Sequence, residues 1–149
     1  MARNRKDRTY DHALLLHDSA SSISSSAAGL VGGAAAILDL GQGRVDATVV
    51  VDVTALDVGA GDEATVFAQV SDGGPDDTAF EAGNWIAAGA LILGDVTLNG
   101  SKADSVVGRY ELSFSNEING TIYRYLRLYL LVAASGALTY TAFAVLPPR

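Results

Sequence analysis

From residue 37 onward apolar and polar side chains alternate with a period of two. In 46–53, Ala47, Val49, Val51 and Val53 share one face. Asp46, Thr48 and Asp52 share the other, with Val50. In 64–70, Ala64, Val66, Ala68 and Val70 alternate with Thr65, Phe67 and Gln69. In 107–115, Tyr110, Leu112 and Phe114 oppose Arg109, Glu111 and Ser113. In 122–133, Leu126, Leu128, Leu130 and Val132 oppose Tyr123, Tyr125, Arg127 and Tyr129. Residues 138–146 form a last apolar run, stopped by Pro147-Pro148. A period of two is that of half-buried strands, whose side chains point alternately to the core and to solvent.

Turn chemistry separates these runs. Residues 37–40 end at Gly41, and 56–63 and 71–77 are loops rich in Gly and Asp. Asn99-Gly100, Asn119-Gly120 and Ser135-Gly136 mark further turns. Asn-Gly suits the centre of a two-residue hairpin because both positions take positive φ. The pattern predicts seven or eight short strands, and no long helical period competes. Such spacing reads as an all-β sandwich or barrel. Residues 27–36 fit a short helix, which Gly29, Gly32 and Gly33 weaken by roughly 1 kcal/mol each relative to Ala.

The first 26 residues have a different texture. Leu14, Leu15 and Leu16 form an apolar knot that docks on the body or on a neighbour. Residues 19–26 are almost all Ser and Ala, an extended connector. The predicted division is an extended N-terminal arm over 1–26 and a β-sandwich over 27–149. Charge follows a similar split. Arg3, Arg5, Lys6 and Arg8 against Asp7 give residues 1–9 a net +3, which leaves −10 on the remainder of a chain of net charge −7. An acidic body repels phosphate, so no nucleic-acid partner is expected for it. The basic segment suits an acidic protein surface or nucleic acid, and equally a solvated terminus.

The chain of 149 residues has no cysteine, so disulfides, thiolate metal sites and cysteine nucleophiles are excluded. The apolar run after the basic start is too short for a signal peptide. Residues 128–146 carry no charge and approach a bilayer span in length. Ser135-Gly136 in the middle of the run, its strand-favouring residues and its alternation argue against a membrane helix.

Chemistry is sparse. His12 and His17 lie five apart with no third ligand, and solvated imidazoles are expected. No nucleophile elbow accompanies them. Asp57 with Asp62 and Glu63, and Asp72 with Asp76 and Asp77, offer clustered carboxylates of the kind calcium takes, but they lack ordered ligand spacing and read as turns. No metal, cofactor or catalytic residue is assigned. The tyrosine face is more informative. Tyr123, Tyr125 and Tyr129 with Arg127 offer large contact area with polar tips, a composition enriched at interfaces. It fits self-association, or packing in a second layer.

The chain resembles the capsid cement (decoration) proteins of tailed bacteriophages. The resemblance is carried by Leu14-Leu15-Leu16-His17-Asp18-Ser19 with the Ser/Ala stretch behind it. It is carried also by Ile37-Leu38-Asp39-Leu40-Gly41, and by Tyr125-Leu126-Arg127-Leu128-Tyr129 through Gly136 to Thr141-Ala142-Phe143-Ala144-Val145. It implies a jelly-roll-like β-sandwich, a homo-dimer or homo-trimer on the capsid exterior, clamping subunits of the major capsid protein. It implies a virion location after synthesis in the host cytoplasm, and no enzymatic activity. Residues 1–26 would lie on the shell, with Arg3, Arg5, Lys6, Arg8 and the Leu14–16 knot as contacts. The basic segment is longer and more charged than the family leads one to expect. The competing reading is a carbohydrate- or receptor-binding β-sandwich of a phage tail, with Trp85, the tyrosines and the acidic loops as its supports.

Overall fold

The computed structural model describes residues 14–18, 20–58, 62–73, 85–94, 106–133 and 135–146. In chain order the strands are β1 (Leu15–His17), β2 (Ala27–Ala28), β3 (Leu30–Val31), β4 (Ala34–Ala35), β5 (Leu38–Asp39), β6 (Asp46–Asp57) and β7 (Glu63–Ser71). They continue as β8 (Ile86–Gly94), β9 (Gly108–Ser115), β10 (Glu117–Ile118), β11 (Thr121–Ile122), β12 (Tyr125–Ala133) and β13 (Ala137–Val145). The described residues contain no α-helix. One sheet has the order β1-β13-β6-β9. The other has the order β2-β12-β7-β8, with β5 pairing a further stretch of β12. Every pairing is antiparallel.

The alternation places the core between the sheets. Val49, Val51 and Val53 on β6, Leu112 and Phe114 on β9, and Leu138, Tyr140, Ala142 and Ala144 on β13 line one inner face. Ala64, Val66, Ala68 and Val70 on β7, with Leu126, Leu128 and Leu130 on β12, line the other. The uncharged run 128–146 folds back as the end of β12 and all of β13, one strand in each sheet. No helix among the described residues is long and apolar enough to cross a membrane.

The sheets converge at both sides of the sandwich, and each convergence needs a glycine. A Cβ on Gly29 would lie 2.3 Å from the Leu16 carbonyl oxygen, and one on Gly89 would lie 2.5 Å from that of Ser113. At the first side β1 joins one sheet and β2 the other. At the second, the edge strands β8 and β9 come together.

Several expectations are corrected. Residues 27–36 are not helical: β3 and β4 form a hairpin around Gly32 (φ 61) and Gly33 (φ 79). Two consecutive positive φ values cannot continue a right-handed helix but match the twist of a tight hairpin. The loop expected over 56–63 is shorter, because β6 runs to Asp57 and β7 begins at Glu63. The strand expected from residue 122 starts at Tyr125, because the chain first turns back through the β10–β11 hairpin. Its turn, Asn119-Gly120, has the anticipated positive φ values of 52 and 81.

His17 is not solvated; it is 1% exposed. A register shift in β1 between Leu15 and His17 brings both Leu16 and His17 inward. Its ring stacks on Tyr140 with centroids 4.1 Å apart. Nδ1 accepts the Leu30 N–H at 3.1 Å, so the proton of the neutral ring sits on Nε2, which is buried without a partner. Burial lowers the His17 pKa below its ordinary 6.5, against an opposing pull from Asp18. The unfolded chain therefore takes up this proton at higher pH than the folded one. Stability contributed above about pH 6.5 is lost as the pH falls toward the folded value, by at most ~1.4 kcal/mol per unit. Denaturant titrations at pH 7.5 and pH 5 are expected to show a smaller loss in His17→Phe than in the wild type. Equal losses would contradict a desolvated His17.

Candidate interaction face

The outward side of the second sheet carries the candidate site. Because Leu126, Leu128 and Leu130 point inward, Tyr125, Arg127 and Tyr129 point outward, and all three are partly buried. Strand register sets their neighbours on β7: Ser71 opposite Tyr125, Gln69 opposite Arg127, and Phe67 opposite Tyr129. Across β8, Ala90 stands opposite Phe67 and Ala87 opposite Gln69. These small residues leave room beside the aromatic row.

Arg127 is the centre of this face. Its Nε–H donates to Gln69 Oε1 at 2.9 Å. The guanidinium carbon lies 4.3 Å from the centroid of the Trp85 ring and 5.4 Å from that of Tyr129. Cation–π contacts of this kind contribute about 0.5–2 kcal/mol, more as water is excluded. Trp85 is 8% exposed, and Arg127 lies over its ring. That arrangement covers a ring face that the carbohydrate reading would need for stacking. Just before the strand, Arg124 pairs with Asp39 through two hydrogen bonds of 2.8 and 2.7 Å and lies 5.4 Å from the Tyr125 ring centroid. The Arg124 hydrogen bond, helped by the Gly41 N–H, holds the Asp39 pKa at about 2.

Tyr123 does not belong to this face. It packs against the interior cluster, because the chain kinks before β12. Fully buried Asn116 holds the kink. Its Nδ2 donates to the Tyr123 and Gly43 carbonyls (2.8 and 3.0 Å), and its Oδ1 accepts the Val45 N–H (2.6 Å). Backbone bonds from Asn116 N–H to the Val45 carbonyl and from Tyr123 N–H to the Asn116 carbonyl complete the clamp. No sequence motif marks Asn116.

The leucine knot takes the first of its two destinations, the body. Leu16 is fully buried in the main core, and Leu14 packs against it. Leu15 joins Val50 and Phe143 in a small cluster on the outer side of the first sheet. Leu15 and Leu16 are thus spent on this chain's own fold and have almost no surface left for a partner. The chain from residue 14 is built into the sandwich, with a bridge from Ile23 to Leu138 and β2 paired to β12. Arg3, Arg5, Lys6, Arg8 and His12 lie outside the described residues, as do Asp76 and Asp77. Of the other acidic loop residues, Asp62 accepts the Ser135 N–H at 3.0 Å and Glu63 is buried.

No family model matches the chain, and no curated protein or solved structure is detectably similar to it.

Proposed function

We propose that the chain is a structural virion protein, a capsid decoration protein that binds the outside of a phage shell and stabilises contacts between major capsid protein subunits. The observation that carries the reading is the strand order. Eight strands, β1, β2, β6, β7, β8, β9, β12 and β13, build the two sheets, and the chain crosses between sheets at every step except the β7–β8 hairpin. Numbered one to eight in that sequence, they run 1-8-3-6 in one sheet and 2-7-4-5 in the other. This order supports a jelly roll, an architecture common in capsid and lectin domains. A fold does not by itself dictate a role. The resemblance of residues 14–146 to phage cement proteins and the outward aromatic–arginine row favour the capsid role within that architecture.

The mechanism follows from the parts. The sandwich is a rigid body whose second sheet offers Tyr125, Arg127 and Tyr129 to a neighbouring subunit, as a homo-dimer or homo-trimer. The basic residues 1–9 reach from the start of β1 to an acidic surface of the shell. Repetition over a shell multiplies weak single contacts. Co-sedimentation with undecorated capsids of its phage tests the role: saturable pelleting supports it, and no pelleting at micromolar protein removes it. Deleting residues 1–9 is expected to weaken pelleting by about tenfold and to flatten its salt dependence, since attraction between exposed charges is screened by salt. Unchanged binding would take the basic segment out of the mechanism.

A further inference from the structure

Four arginines lie among the described residues, and three pair with carboxylates of this chain. Arg44 meets Asp46 and Glu117, Arg109 meets Asp52, and Arg124 meets Asp39. Arg127 has no carboxylate partner among the described residues. It is also the one held in place by neutral groups: Gln69 on Nε, and the rings of Trp85 and Tyr129 beside the guanidinium. These contacts leave the two terminal nitrogens without an acceptor among the described residues. Those nitrogens form the planar fork that fits a carboxylate with two parallel hydrogen bonds. Burial weighs against the Arg127 charge, and a partly desolvated cation gains most from an incoming anion.

We propose that Arg127, framed by Trp85 and Tyr129, is a preformed binding point for a carboxylate side chain of a partner protein. This rests on reading the outer face of the second sheet as a contact surface, and it names the chemistry of that contact. Charge complementarity selects the occupant. A polyphosphate partner would meet one arginine on a body of net negative charge outside residues 1–9, so its dense charge is repelled. A sugar would find the Trp85 ring under the guanidinium. A single carboxylate on an apolar or neutral surface meets the fork without that repulsion. Gln69 and the two rings hold the fork in advance, so little side-chain freedom is lost on binding.

Trp85 is the only tryptophan of the chain, so its emission reports on the site. The full chain is titrated with a blocked pentapeptide carrying one glutamate among neutral residues, and with the same peptide carrying glutamine in its place. A saturable emission change is expected for the glutamate peptide, weakened by added salt and at least about tenfold weaker for the glutamine peptide. Arg127→Met keeps an unbranched stem over Trp85 but removes the charge. It is expected to retain the wild-type melting transition and lose the glutamate response. Arg127→Lys keeps the charge without the fork and is expected to fall between. The proposal is overturned by equal responses to both peptides, by an unchanged response in Arg127→Met, or by no saturable response at millimolar peptide. Tighter binding of polygalacturonate than of the peptide would overturn the protein partner. Capsid pelleting is read separately. Pelleting without a peptide response removes this site and leaves the role, and the reverse removes the role and leaves the site.

Discussion

Asn116→Ala is expected to lower the unfolding free energy by about 3–4 kcal/mol, measured by urea denaturation. Three buried side-chain hydrogen bonds are lost, to Val45 N–H, Gly43 C=O and Tyr123 C=O. A typical bond contributes about 1 kcal/mol net, but a buried group left unpaired costs about 1–3 kcal/mol. The methyl of Ala leaves space that water enters only in part, so the three backbone groups are not all recovered. Asn116, 71 residues from Val45 along the chain, ties the segment before β6 to the kink before β12. Asn116→Asp keeps the acceptor, loses both donations and adds a charge at a fully buried site. It is expected to be at least as harmful. A loss below about 1 kcal/mol for Asn116→Ala would mean that the clamp is replaceable by solvent.

Gly29→Ala is expected to cost about 2–3 kcal/mol, within the range found when extra volume is forced into a packed site. The new methyl would stand 2.3 Å from the Leu16 carbonyl oxygen and 3.6 Å from Leu128 Cβ. The nearest atom is backbone, so it gives way only if β1 shifts on β13 or the Gly29 segment shifts on β12. Gly29 N–H also donates to the Leu128 carbonyl at 2.9 Å, which resists the second movement. Faster amide exchange in residues 14–31 is expected, with β7 and β12 little changed. Gly43→Ala is the control: nothing lies within 4 Å of its Cβ, and a change within about 0.5 kcal/mol is expected. Equal effects at Gly29 and Gly43 would contradict the close approach of the two sheets.

Much of the fold was legible because one physical rule dominated. Where a strand has one buried face, alternation reveals it, and the inward sets on β6, β7, β9 and β12 are those the pattern predicts. Turn positions with positive φ, Gly41 and Asn119-Gly120, were legible for the same local reason. The N-terminal third was not. Two-residue strands such as β2, β3 and β4 have no period to read, and they exist because long strands supply their partners. His17 looked solvated because a register shift in β1 defeats alternation. The outward row on β12 was legible as Tyr125, Arg127 and Tyr129. Tyr123 was misplaced because the kink depends on Asn116, distant along the chain from Gly43 and Val45. That Trp85 would lie against Arg127 followed from no spacing, since β8 and β12 are each paired with β7 but not with one another.

Calorimetry of undecorated shells with and without the protein tests the decoration role most directly. A protein that binds the assembled shell and not its dissociated subunits must raise the shell's melting temperature, and by more at higher protein concentration. The predicted result is an upward shift that saturates with the pelleted amount and shrinks when residues 1–9 are deleted. An unchanged melting temperature at saturating protein would contradict the role.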